Sequence, residues 1–118
     1  MAEKYALPAG ATAADFAARR WGGPIGVDVR LVTVGTTLTE LVRNNPRRVL
    51  WLVQNRGAGD LSTALDRAVT TANGFLLSAS GGLQSMDAEE DGEAVTYPLF
   101  AIGAAAGNVV RVLEVFRV

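Results

Sequence analysis

Residues 47–60 read RRVLWLVQNRGAGD, an apolar run from Val49 to Val53 that meets an Asn-Arg-Gly corner and a second glycine. A strand running into a phosphate-binding loop would place this chain among nucleotide enzymes, whereas a strand running into a turn points to an all-β fold. A phosphate loop needs G-x-x-x-x-G-K-[ST], and no lysine follows Gly57 or Gly59. A dinucleotide fingerprint needs G-x-G-x-x-G opening a helix, but Gly57-Ala58-Gly59 continues as Asp60-Leu61-Ser62. The segment therefore reads as a strand entering a hairpin connection, with the glycines expected to supply positive φ. Val49–Val53 has no polar interruption, as expected of a central strand covered on both faces.

Outward from this strand the period stays at two. Upstream, Val27, Val29 and Leu31 alternate with Asp28 and Arg30, which predicts a half-buried strand from about Ile25. The segment TTLTELVRNN is open between strand and helical turn, with strand preferred, and Asn44-Asn45-Pro46 is a turn because the residue before proline avoids the helical region. Downstream lie Leu61–Leu65, a turn at Asn73-Gly74, FLLSAS, the Gly81-Gly82 break, LQSMD, EAVTYPLFAIGA and NVVRVLEVFRV. In the last of these Val110, Val112, Phe116 and Val118 share a face that Glu114 interrupts, so Glu114 needs a partner or an edge position. Seven or eight short strands with a turn signal every 8–12 residues predict an antiparallel β-sandwich of jelly-roll type over residues 26–118.

Residues 1–25 differ. LPAGATAADFAARRWGGP is rich in alanine, Thr12 and Asp15 stand at capping-box spacing, and Gly22-Gly23-Pro24 stops whatever helix they begin. A helix of about nine residues is marginal alone. It must dock apolar side chains on its own sandwich or on a neighbour, so residues 1–25 are read as an N-terminal arm. Its candidate partner-binding residues are Leu7, Phe16, Arg19, Arg20 and Trp21.

Composition narrows the function. The 118 residues suit one domain, and 49% apolar content with a mean hydropathy of +0.22 speaks for a packed core. No window reaches the ~18 apolar residues of a membrane span, and the first ten residues lack the basic-then-apolar order of a secretory signal. The expectation is a soluble protein with no membrane partner. Cysteine and histidine are both absent, which removes disulfides, thiolate nucleophiles, the usual zinc sites and every Ser-His or Cys-His arrangement. A net charge of −1 gives no general attraction to nucleic acid. The charge is uneven: eight cations against four carboxylates in residues 1–59, and three against eight in residues 60–118. The two halves either meet within one fold or pair head to tail between copies.

Three candidate chemistries remain. Asp87, Glu89, Asp91 and Gly92 match the opening of a calcium loop, but the twelfth position is Pro98 where a bidentate carboxylate belongs, so the acidic run 87–93 is read as a solvated loop. Asp60 and Asp66 stand in no glycosidase motif. Tyr5, Trp21, Trp51 and Tyr97 could stack on sugars, although Trp51 belongs to the most apolar strand and is expected in the core. The expectation is no enzyme and no cofactor.

The turn and strand signals Asn45-Pro46-Arg47-Arg48, Gln54-Asn55-Arg56-Gly57, Val69-Thr70-Thr71-Ala72-Asn73-Gly74 and Arg111-Val112-Leu113-Glu114-Val115 recur in one known group. Over roughly residues 45–118 the chain resembles small β-sandwich virion structural proteins of tailed bacteriophages. One segment departs from that pattern, DLSTALD after the Gly57 turn, and leaves its strand pairing open. The resemblance implies a capsid decoration or cementing subunit, located in the virion. It would bind the major capsid protein or other virion proteins as a symmetric homo-oligomer, a trimer being favoured. A tail or neck accessory protein is the near alternative, and a carbohydrate-binding sandwich module of a fibre is the alternative from another class.

Overall fold

A computed structural model of the chain describes residues 22–118. The arm up to Trp21, with its capping box and with Leu7, Phe16, Arg19, Arg20 and Trp21, lies outside the described residues.

Eight strands follow one another: β1 Ile25–Val34, β2 Thr39–Val42, β3 Arg48–Asn55, β4 Leu61–Ala64, β5 Phe75–Leu77, β6 Leu83–Asp87, β7 Leu99–Gly103 and β8 Asn108–Arg117. They form two four-stranded antiparallel sheets, ordered β1-β8-β3-β6 and β2-β7-β4-β5. Successive strands alternate between the sheets except for the β4–β5 hairpin, which stays in one, and this is the jelly-roll arrangement predicted from the spacing of strands and turns. TELV is a strand, and DLSTALD supplies β4, paired with β7 on one side and β5 on the other. Between the sheets lie Val34, Leu41, Val42, Trp51, Val53, Leu61, Leu77, Val95, Leu99, Ala101, Val110 and Val112, the hydrophobic core of the described residues.

The opening stretch is a strand entering a turn, but the glycines do not act as expected. Neither Gly57 nor Gly59 has positive φ. The side chain of Asn55, fully buried, directs the corner: its Oδ1 accepts from Gly57 N–H at 2.9 Å, and its Nδ2 donates to Gly59 O at 2.8 Å and Leu77 O at 3.1 Å. This is an Asx turn closed by a second and third bond. The glycines are needed for room. A Cβ on Gly57 would stand 2.6 Å from Asn108 Oδ1 and 2.9 Å from Asn108 Cα, a backbone atom that cannot swing aside. Gly57→Ala is accordingly expected to lower stability by about 2 kcal/mol. At Gly59 the nearest atom is a side-chain oxygen at 3.1 Å, so Gly59→Ala should cost less. Denaturant midpoints of the two variants check the order.

Three further expectations need correction. The acidic run is not an open loop: Ala88–Asp91 forms a single helical turn, α1, and Gly92–Thr96 a 3-10 turn that places Val95 in the core. Asp87 caps α1, its Oδ1 accepting from Glu89 N–H and Glu90 N–H at 2.9 and 2.8 Å. The carboxylates fit there because they face the positive end of the turn. EAVTYPLFAIGA is consequently a strand only from Leu99, since its first half belongs to the 3-10 turn and Pro98 holds Tyr97 in the extended region. β3, in turn, is central in its sheet but covered on one face only, because Leu50, Leu52 and Gln54 on its outer side are half-buried.

Candidate interaction surface

Residues directly opposite in an antiparallel sheet point to the same side. In the β1-β8-β3-β6 sheet the rows Asp28–Glu114–Trp51–Met86 and Arg30–Val112–Val53–Gln84 include the buried Trp51, Val53 and Val112, so these rows face inward. The rows Val27–Val115–Leu50–Asp87, Val29–Leu113–Leu52–Ser85 and Leu31–Arg111–Gln54–Leu83 face outward. Alternation in β1 was legible, but its sense is the reverse of the usual one: the charged pair points in and the aliphatic set points out. Val27 is 59% exposed, Val29 51%, Leu31 57% and Leu83 60%. Leu50, Leu52, Leu113 and Val115 fill the middle of the same face, half-buried by their neighbours.

The inward charges are satisfied. Glu114 accepts from Arg48 Nη1 at 2.8 Å through one oxygen and from Arg30 Nη1 at 2.5 Å through the other. Arg30 also reaches Asp28 at 2.6 Å and Leu41 O at 2.5 Å. Arg48 has a fully buried side chain and donates to Val95 O, Arg43 O and Tyr97 O at 2.8, 2.6 and 2.7 Å. Glu114 thus has partners rather than an edge, on a strand in the interior of its sheet. Burial pushes the Arg48 guanidinium below its ordinary value against the pull of Glu114. Burial also opposes charge on Arg30, but bonds and attraction to Glu114 and Asp28 outweigh it and hold that group above. Both remain cations at any pH at which a protein folds. The cluster ties β1, β3 and β8 to the β2 end of the other sheet and to the 3-10 turn, so its role is to hold the sheets together.

The second sheet is finished differently. Its outer face carries Phe100, Ser62 and Ile102, and the β4–β5 connection lies over it. Arg67 sits 4.8 Å above the Phe100 ring, Val69 is 5% exposed, and Ser62 Oγ donates to Thr71 O at 3.3 Å. One sheet lies largely under its own loop, with Leu76 on the edge strand β5 left exposed; the other presents eight aliphatic side chains to the surface. The four most exposed contribute on the order of 400 Å², the size of the largest apolar patch on an ordinary monomer, a patch that is often functional.

The other sequence candidates resolve as turn chemistry or lie elsewhere. Asp91 Oδ2 accepts from Asp87 N–H at 2.9 Å, so Asp87 and Asp91 both serve their own turn, and no cluster suited to a metal ion occurs among the described residues. Asp60 accepts from Ala79 N–H at 2.8 Å and Asp66 from Ala68 N–H at 2.9 Å. Trp51 is a core residue, 2% exposed, and its indole N–H lacks a hydrogen-bond partner. Tyr97 is exposed and donates to Glu93 at 3.1 Å; this bond and the carboxylate charge raise its phenol above the ordinary value. A cavity of about 270 Å³ opens beside Trp51, between β6 and the β4–β5 pair, with Phe75 and Met86 at its wall. Gln84 bridges the sheets there, accepting from Thr63 Oγ1 at 2.6 Å and donating to Leu76 O at 3.1 Å.

No protein-family profile matches this sequence, and no curated protein is similar to it. Among solved structures, a chain from "Bacillus endospore appendages form a novel family of disulfide-linked pili" is similar in shape. Its TM-score is 0.49 at 11% identity, and the match covers 80% of this chain and 88% of that one.

Proposed function

We propose that this chain is a structural virion protein of a tailed bacteriophage, a capsid decoration or cementing subunit that docks on the capsid lattice through the outer face of its β1-β8-β3-β6 sheet. The observation that carries the reading is the inverted β1, with Val27, Val29 and Leu31 outward on a face that also holds Leu83, while the opposite sheet is covered over most of its outer face by its own loop. Burying such a face is worth roughly 10 kcal/mol before the cost of association, enough to hold a small subunit on a large, repeating partner. The jelly roll itself recurs in viral capsid and lectin domains, an analogy of fold and not of site. Sequence resemblance over residues 45–118 supplies the virion, and the exposed face supplies the means of attachment.

Leu83 is the residue to change, because it lies on the face yet at the edge of the sheet remote from β1. Leu83→Asp is expected to weaken co-sedimentation with assembled shells by about tenfold or more and to leave the melting temperature within a few degrees of the parent. Undiminished binding by this variant would remove the face from the interface, and absence of binding by the parent would remove the capsid.

A further inference from the structure

We infer that β1 is a homodimer seam, pairing antiparallel with β1 of a second copy about a two-fold axis through Val29, so that two sheets become one of eight strands. The inference stands apart from the virion reading and concerns the free chain.

The edges of the sandwich are unequal. β2 has four residues, β5 three and β6 five, the short edges with which proteins discourage unwanted pairing. β1 has ten, all in uninterrupted register with β8, and contains neither proline nor lysine nor a bulge. A long, flat edge with an apolar face is a template for strand addition.

The phase of the β1–β8 ladder identifies which groups have no partner among the described residues. Val118 N–H donates to Pro24 O at 3.0 Å, and Arg117 N–H points the other way, to Arg47 O at 2.8 Å. Bonded pairs alternate in an antiparallel ladder. Even-numbered β1 residues therefore bond β8, while Ile25, Val27, Val29, Leu31 and Thr33 turn their N–H and C=O groups to the open edge.

The sequence then selects the partner. Val27-Asp28-Val29-Arg30-Leu31 is self-complementary when read against itself in reverse. With Val29 opposite its symmetry mate, Val27 meets Leu31 of the partner copy on the outer face, and Asp28 meets Arg30 of the partner copy on the inner face. The Asp28–Arg30 pairs fall at non-hydrogen-bonded positions, where side chains stand closest. The five outward residues of each strand would exchange about ten backbone hydrogen bonds. Moving the axis to Val27 sets Asp28 against Gly26, and moving it to Leu31 sets Arg30 against Val32, so neither alternative pairs the charges. Inward charges on an edge strand reject foreign strands. Asp28 and Arg30 already pair within the chain, and a strand with the same two charges in reverse order adds a further partner to each without leaving a like charge opposite; a second copy of this chain carries them. The side chains are accessible for it, Asp28 at 51% and Arg30 at 32%.

Light-scattering chromatography across a wide concentration range tests the seam. The full chain is expected at twice its 12.4 kDa mass, dissociating on dilution. Val29→Pro removes a donor from the open edge and none from the β1–β8 ladder, and should raise the dissociation constant at least about tenfold with an unchanged circular dichroism spectrum. Asp28→Lys opposes Lys to Arg30 of the partner and should do the same, which keeps the test decisive should the proline variant fail to fold. A monomer at every concentration, a trimer, or a dimer that neither substitution weakens would overturn the inference.

Discussion

Glu114→Leu is expected to lower the unfolding free energy by roughly 3–5 kcal/mol, because it leaves a buried cation without its anion. The Arg48 side chain is fully buried, and Glu114 bonds it at 2.8 Å while its other oxygen holds Arg30. Three backbone carbonyls also accept from Arg48, yet they bring dipoles and no charge to offset the guanidinium. Glu114→Gln keeps the shape and one acceptor, so the difference between the two variants separates charge from packing. Removing both ends together, as Arg48→Met with Glu114→Leu, should cost less than the two single losses added, since residues in one network couple. Urea titration of the four proteins reads all of these values. Additive losses would mean that the ion pair does not hold the sheets as described.

The second large effect is expected at the other end of the sandwich. Asn55→Ala should cost about 3 kcal/mol, since it strands Gly57 N–H, Gly59 O and Leu77 O, with Leu77 O inside the fold. Asn55 itself is fully buried, so water does not replace the lost side chain without entering the β3–β4 corner. Hydrogen exchange gives the local signature: amides of residues 57–61 should lose protection before global unfolding. Unchanged protection there would assign the corner to its glycines instead of to Asn55.

The jelly roll was legible because its signals are local. Alternation, uninterrupted apolar runs and Gly or Asn turns mark strands and corners, and they marked β1, β3, β5, β6 and β8 close to their observed positions. The acidic run is exposed between two strands as its carboxylates imply, but its local order was not legible, because Asp87 uses the same chemistry to start a helical turn. The roles of Gly57 and Gly59 were misassigned because their close approach to Asn108 is a long-range contact, 49 residues from Gly59 and further from Gly57, invisible to local spacing. For the surface, the period of β1 was visible but its sense was not. Hydrophobic residues are assumed to face inward, and the register of Arg30 with buried Val112 and Val53, together with the bond of Arg30 to Glu114, shows that this strand presents them outward. A sequence signal did exist, because Glu114 occupies an apolar face of β8 and demands a cation across the sheet. The arm residues Leu7, Phe16, Arg19, Arg20 and Trp21 were the sequence candidates for partner binding and lie outside the described residues. The aliphatic face of the first sheet is the surface that three-dimensional structure adds.

Because the chain has no cysteine, single thiols can report on either face separately. The most direct measurement attaches an environment-sensitive fluorophore to Leu83→Cys on the open face and, in a second protein, to Thr71→Cys on the loop that covers the opposite sheet. Both proteins are then mixed with assembled shells. A blue shift and loss of quencher access at position 83, with position 71 unchanged, is the result predicted for docking through the β1-β8-β3-β6 face. Binding that leaves position 83 as solvent-exposed as in the free chain would contradict it.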